Sequence, residues 1–278
     1  LKALATLILA ALSAPALAGD WNAPHKPFQI YGNTYYVGTD GISAVLITSP
    51  KGHILIDGAT EKGGLVIADN IKTLGFKLKD VKYILNSHAH NDHAGGISSL
   101  QKLSDATVLA GAAGAKALST GKTAAEDPQF GSISDFAAVA NTRAVKEGEV
   151  VKLGPLAVTA HLTPGHTPGG ASWTWQVCDA GQCKNFVYGD SLSAVSADSY
   201  KFTAHPELVS SLEGSITKVE ALPCDVLITA HPEVNDLFGR NERAAKEGVA
   251  AYVDAASCRN LAATSRANLA KRLDSERK

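Results

Sequence analysis

Ile84-Leu85-Asn86-Ser87-His88-Ala89-His90-Asn91-Asp92-His93-Ala94-Gly95-Gly96 packs three histidines and one aspartate into six residues, directly after an apolar run that reads as a buried strand. Imidazole nitrogen and carboxylate oxygen are the donors a chemically active zinc site uses. On an extended turn, residues two apart point the same way, so His88 and His90 can grip one ion. Asp92 and His93 then point elsewhere, towards a second ion. The stretch reads as half of a two-metal hydrolytic site.

The missing donors are expected after later strands. Thr163-Pro164-Gly165-His166-Thr167-Pro168-Gly169-Gly170 sets one histidine in a turn of chain-bending residues, right after a strand ending at Leu162. Leu227-Ile228-Thr229-Ala230-His231-Pro232 repeats the arrangement. His161, inside a strand pattern, and His205, just before a helix start, read as structural, and His25 and His53 have no partners in view.

Around these motifs, Phe28 to Val37 reads as a hairpin across Gly32-Asn33, followed by strands near residues 44–47 and 53–57. Helix is expected from Gly63 to Gly75, with Ile67, Ile71 and Leu74 on one face, then strand at 81–85, helix near 96–103, strand at 107–110 and helix at 112–119. Residues 120–141 show no strong period and read as a long loop, either substrate-facing or an inert surface excursion. Strands resume at 150–153, 156–162, 171–177 and 186–188; helix follows at 208–221, strand at 225–229, and helix from about Glu242 to the end. Strands and helices alternate in two similar halves without a Pro-, Gly- or Ser-rich linker, which fits one layered domain.

The chain has 278 residues, 45% of them hydrophobic and 19% charged, with a formal net charge of -1. That balance offers no electrostatic case for binding nucleic acid or an anionic membrane. Residues 1–18 read as a secretory signal peptide: Lys2, an apolar run from Leu4 to Leu12 too short to span a bilayer, and a small-x-small ending at Ala16-Leu17-Ala18. Export makes disulfides the expected state of Cys178, Cys183, Cys224 and Cys258. Four cysteines allow three connectivities. A Cys178–Cys183 bond would clamp a hairpin, and a Cys224–Cys258 bond would tie down the C-terminal region.

His-x-His-x-Asp-His, a histidine in a Gly-His-Thr turn and a histidine after a late strand together resemble the metallo-β-lactamase superfamily, over essentially the whole mature chain. Within it the chain looks most like class B β-lactamases of the third subclass, on Asp190-Ser191-Leu192-Ser193-Ala194, Ala221-Leu222-Pro223-Cys224-Asp225 and the Cys224/Cys258 pair. Asp57, in Ile54-Leu55-Ile56-Asp57-Gly58, matches the superfamily's early supporting aspartate.

The resemblance implies an α/β fold, a four-layer αββα sandwich formed by a single domain over residues 19–278. It implies two zinc ions, one on His88, His90 and His166, the other on Asp92, His93 and His231. The implied activity is hydrolysis of the β-lactam amide bond by a zinc-bound hydroxide that Asp92 orients, conferring antibiotic resistance. Ser191 and Ser193 would hydrogen-bond the carboxylate beside the ring. The implied setting is a periplasmic monomer acting on a small-molecule β-lactam, with no nucleic acid partner and no membrane association after signal cleavage.

Two alternatives stay open: another exported dizinc hydrolase of the superfamily, a thioesterase or lactonase, and a non-catalytic zinc-binding protein. Asp190 bears on the first. Tyr188-Gly189-Asp190 fits the metal-bridging aspartate of glyoxalase-II-like thioesterases, but Ser191 and Ser193 follow it as in the third-subclass lactamases, where that aspartate does not bridge. Ser-x-x-Lys occurs at Ser119–Lys122 and Ser215–Lys218, but the Ser-Asp-Asn and Lys-Thr-Gly triplets of serine lactamases are absent, which argues against an acyl-enzyme route.

Overall fold

The structure is a computed structural model that describes residues 20–278; the expected signal peptide lies outside them. The first half of the chain runs β1 (Phe28–Tyr31), β2 (Thr34–Tyr36), β3 (Val45–Ile47), β4 (His53–Ile56), α1 (Glu61–Thr73), β5 (Val81–Leu85), α2 (Asn91–Ala94), α3 (Ile97–Ser104), β6 (Thr107–Ala110), α4 (Ala112–Thr120) and β7 (Thr142–Ala144). The second half runs β8 (Val150–Leu153), β9 (Leu156–Leu162), β10 (Ala171–Asp179), β11 (Gln182–Gly189), α5 (Pro206–Glu220), β12 (Val226–Thr229), α6 (Leu237–Glu247) and α7 (Ser257–Glu276). A seven-stranded sheet orders β1 to β7 in sequence, and a five-stranded sheet orders β12-β11-β10-β9-β8.

β3, the Ile54–Ile56 run of β4 and β12 up to Ile228 are apolar on both faces because both faces are covered. In β4, Ile54 and Ile56 face the other sheet while Leu55 packs under the helices; Val45 and Ile47 flank Leu46 in the same way. Ile67 and Ile71, one turn apart on α1, and Ile97 and Leu100 on α3 complete the outer layer of the first sheet. In the second sheet Phe186 and Tyr188 point inward and Val187 outward, onto Leu212, Ile216 and Val219 of α5 and Ala262 and Leu269 of α7. The layers are helices, sheet, sheet, helices. That is the αββα sandwich.

Close approach matters most beside the first histidines. A Cβ on Gly96 would collide with Gly58 O and Gly64 Cα, so only glycine lets α3 seat against the start of α1. Thr60 caps α1, its hydroxyl accepting from Gly63 N at 3.0 Å.

Two expectations need correction. The helix expected from Glu242 to the end is two helices. Gly248, at φ +62°, ends α6, and the chain turns so that Tyr252, 2% exposed, enters the inter-sheet core. Asp254 then restarts the helix by accepting from Ala256 N at 2.9 Å through its side chain and from Ser257 N at 3.0 Å through its carbonyl. An unbroken helix could not bury Tyr252. Strand, expected to resume at Val150, resumes earlier at β7, a three-residue edge strand that directly follows the aperiodic 120–141 loop and runs parallel to β6, too short and too exposed to carry a period.

Both disulfides form, Cys178–Cys183 across the β10–β11 hairpin and Cys224–Cys258 between the start of β12 and α7. They span separations of 5 and 34 residues. Loop-closure entropy predicts that replacing Cys224 and Cys258 together by Ala costs about 4 kcal/mol, and the Cys178/Cys183 double replacement about 2 kcal/mol. Urea unfolding of the two double variants checks the order.

Candidate metal centre

Every chemically distinctive residue sits at one edge of the sandwich, beyond the carboxyl ends of β4, β5, β9, β11 and β12, where open α/β sheets bind ligands. Asp57 leaves β4 at φ +62° and turns its carboxylate under the segment after β5. It accepts from Asn86 Nδ2 at 3.0 Å, Ser87 N at 2.7 Å, Ser87 Oγ at 2.6 Å and Tyr188 OH at 2.9 Å. His88 and His90 are thereby held on an extended stretch, and His90 begins α2, which carries Asp92 and His93.

The structure brings the six donors named from sequence into two adjoining groups. One donor atom each from His88, His90 and His166 lies within 4.8 Å of the other two, and all three side chains are buried. In the second group the contacts are tighter. His93 Nε2 lies 3.2 Å from Asp92 Oδ2 and 3.2 Å from His231 Nε2, and His231 Nε2 lies 3.6 Å from Asp92 Oδ2. His88 is also within 4.8 Å of Asp92 and His93, so the groups are neighbours; His231 closes the second triangle at shorter range than His88 does.

Zinc holds nitrogen and oxygen donors at about 2.0–2.2 Å in a tetrahedral array, which separates the donors by about 3.3–3.6 Å. The second triangle has that size. The outer nitrogens are engaged as well. His88 Nδ1 bonds Asp190 Oδ1 at 2.8 Å, His90 Nε2 bonds Asp127 Oδ2 at 3.0 Å, His166 Nδ1 donates to Ser193 O at 3.0 Å, and His231 Nδ1 donates to Gly41 O at 3.1 Å. His93 Nδ1 has no hydrogen bond and faces Asp57 Oδ2 at 3.5 Å. Four of the five rings thus have their orientation set by a bond to one nitrogen, which leaves the other for an ion, the arrangement of metal-binding histidines. These residues fit one cation per group.

The electrostatics agree. Burial, reinforced by the imidazoles of His93, His90 and His166, holds His88 well below the usual histidine range. Burial and His90 push His166 down to about 3, so its lone pair is free at neutral pH. Burial and His93 also lower His231, with Asp92 and Glu233 pulling the other way. Against burial, His93 and His231 keep Asp92 well below the carboxylate range. His93 departs from the pattern: burial would lower it, but the Asp92 and Asp57 carboxylates push it up to about 10. A cation at Nε2 would satisfy the same carboxylates in place of a proton. Burial raises Asp190 as it lowers His88, and the two face each other with Oδ1 2.8 Å from Nδ1.

A cavity of about 360 Å³ opens over both groups, lined by Ser191, Ser193, Gln129, Thr60 and Glu233 and by the apolar side chains of Trp21, Ile133, Val195 and Val234. Gln129 and Ile133 come from the aperiodic 120–141 segment, so that loop is part of the cavity wall. Ser191 faces the cavity; the Ser193 hydroxyl lies 3.2 Å from His166 Nδ1 as well. His161 bonds Thr174 Oγ1 at 2.8 Å and His205 stacks on Tyr200, away from the donors, as their strand and cap positions suggested. His25 pairs with Asp40 at 2.7 Å and stacks on Phe238.

Sequence reading missed Asp127. It sits in a segment without period, and nothing local distinguishes it from a solvated loop acid; only the fold buries it against His90. Asp190 lies behind His88, with its second oxygen 3.4 Å from Thr163 Oγ1. Asp127→Ala is expected to weaken metal retention about 10- to 100-fold. Asp190→Asn, which keeps an acceptor for His88, is expected to leave metal content nearly intact. Competition with a chromophoric chelator measures both; loss of metal in the Asp190→Asn protein would make Asp190 a ligand.

A profile of the metallo-beta-lactamase superfamily matches residues 37–231. The chain is 63% identical to metallo-beta-lactamase SMB-1, solved bound to 2-mercaptoethanesulfonate, with a TM-score of 0.92 over 93% of this chain and 100% of that one. It is 53% identical to MEM-A1, a subclass B3 metallo-beta-lactamase from a soil metagenome library, with a TM-score of 0.91 over 92% and 98% of the two chains. A local match to the N-acyl homoserine lactonase AttM of Agrobacterium fabrum is 40% identical over 74 residues, 19% of this chain and only 28% of the lactonase. With the profile covering most of the chain and the two lactamase structures superposing over nearly all of it, the chain belongs to the metallo-β-lactamase superfamily.

Proposed function

We propose that the protein is a zinc-dependent β-lactamase that hydrolyses the amide bond of β-lactam antibiotics and so confers resistance to them. The observation that carries this is the pair of donor triangles with outward nitrogens already bonded, inside a fold shared with subclass B3 lactamases. In this reading His88, His90 and His166 hold one zinc and Asp92, His93 and His231 a second. Bound zinc supplies Lewis acidity and brings the pKa of its water from 15.7 to about 7.

The chain's own residues do the rest. Asp190 and Asp127 hold the His88 and His90 rings through one nitrogen each, leaving the other nitrogen of each ring for the ion. Asp92 Oδ1 makes no hydrogen bond among the described residues and is free to accept one from the attacking water, orienting it. Hydrolysis adds hydroxyl to the carbonyl carbon and a proton to the ring nitrogen as the C–N bond breaks. Among the described residues no lysine or arginine lines the cavity, so carboxylate recognition beside the ring falls to hydroxyls, Ser191 foremost and Ser193 next to it. The half-exposed Trp21, Val195 and Val234 at the rim offer apolar surface to substituents.

The lactonase likeness favours a second reading over part of the chain only, another superfamily hydrolase acting on lactones. No helix among the described residues is long and apolar enough to cross a membrane. The two disulfides and the leader read at residues 1–18 support export to the periplasm, where we propose that the protein acts as a monomer of one domain over residues 19–278.

Purified protein is expected to open a chromogenic cephalosporin, to fall to background with a chelator and to recover with added zinc, at two zinc ions per chain by elemental analysis. A homoserine lactone in the same assay separates the two readings. Ser191→Ala is expected to raise KM for the cephalosporin about 3- to 10-fold with kcat little changed, the signature of lost substrate binding.

A further inference from the structure

Among the described residues, Glu233 is the one acid of the cavity wall outside the donor groups. It lies two residues after His231, on a short turn spanning Pro232–Asn235 whose leading proline restricts the backbone. Its side chain is exposed, and among the described residues it makes no ion pair. The nearest cations along the chain are committed elsewhere, Arg240 to Asp254 at 3.7 Å and Arg243 to Asp236 at 3.2 Å. Among the described residues, no lysine or arginine lines the cavity beside it.

An unpaired carboxylate at this mouth is electrostatically unhelpful for a purely anionic substrate. Every β-lactam that the serines could hold through a ring carboxylate is already negative there. A second negative substituent would meet Glu233 at close range, whereas a positive one would find a counter-charge. Like-charge juxtaposition of this kind selects partners by repulsion as much as by attraction.

We infer that Glu233 sets a charge preference in the substrate: β-lactams carrying a cationic substituent are favoured over analogues carrying a second anion. The inference rests on the β-lactamase reading of the same cavity and names the substrate class within it. Glu233 and Ser191 lie on the same cavity wall and present opposite demands there, a zwitterion-shaped pattern.

The test uses the zinc-loaded enzyme and three cephalosporins that share a nucleus and an acyl side chain. One bears a quaternary ammonium, one a carboxylate and one a neutral substituent. For the wild type, kcat/KM is expected to favour the cationic over the anionic member by about 3- to 10-fold, the size expected of one exposed charge a few ångströms from another, and the preference shrinks as salt is raised. Glu233→Gln should bring the ratio near one, and Glu233→Lys should reverse it. Because each protein is compared with itself, a general loss of activity cancels. An unchanged ratio across the three proteins overturns the inference, as does a wild type that prefers the anion. If the wild type does not open even the neutral member, the β-lactamase reading falls and this inference falls with it.

Discussion

A buried carboxylate must have its charge satisfied by its neighbours or it unfolds its surroundings, and Asp57 is such a carboxylate. It is fully buried and held by four donors, from Asn86, from Ser87 twice and from Tyr188. Those partners come from both sheets: Asn86 and Ser87 extend β5, and Tyr188 lies on β11. The bonds that neutralise the charge therefore also clamp the two sheets together and set the direction in which His88 and His90 leave the strand. Asp57 Oδ2 faces His93 too, at 3.5 Å. Removing this one carboxyl group would free the strand-end turn, one histidine of the second triangle and an inter-sheet contact at once.

Around that anchor the site follows a single rule. Four of the five imidazoles are turned by a bond to the outer nitrogen, with two kinds of partner: a buried acid behind His88 and His90, a main-chain carbonyl behind His166 and His231. Acids near the rings raise the basicity of the inward nitrogens, while carbonyls orient without adding charge. The same burial that lowers His88 and His166 keeps their inward lone pairs unprotonated at neutral pH. Orientation and electronic state thus come from one source, the packing of loops against the sandwich edge.

The interior and the mouth do different work. The donor groups suit several hydrolytic reactions, as the local likeness to a lactonase illustrates. The wall above them is more particular, with hydroxyls, an apolar rim and one free acid supplied by five separate segments, including the aperiodic loop. Specificity within such a superfamily sits in those loops, which vary without disturbing the layered core.

Much of this was legible in the chain itself. The six donors were readable because their chemistry is rare in combination and each lies at the end of an apolar run, where a strand must deliver it to the sheet edge; the layers were readable through the likeness those donors carried, and the cysteine pairs through the hairpin and late helix they flank. What the chain left unstated concerns contacts between distant segments. Asp127 behind His90, Gly41 behind His231 and the turn that buries Tyr252 have no local signature, since a loop acid, a glycine carbonyl and a break in a polar helix look alike until the fold decides what they touch. Periodicity reports which face of a segment is buried, and residue type reports what it can bind; partners hundreds of atoms apart along the chain are chosen only when the two sheets close.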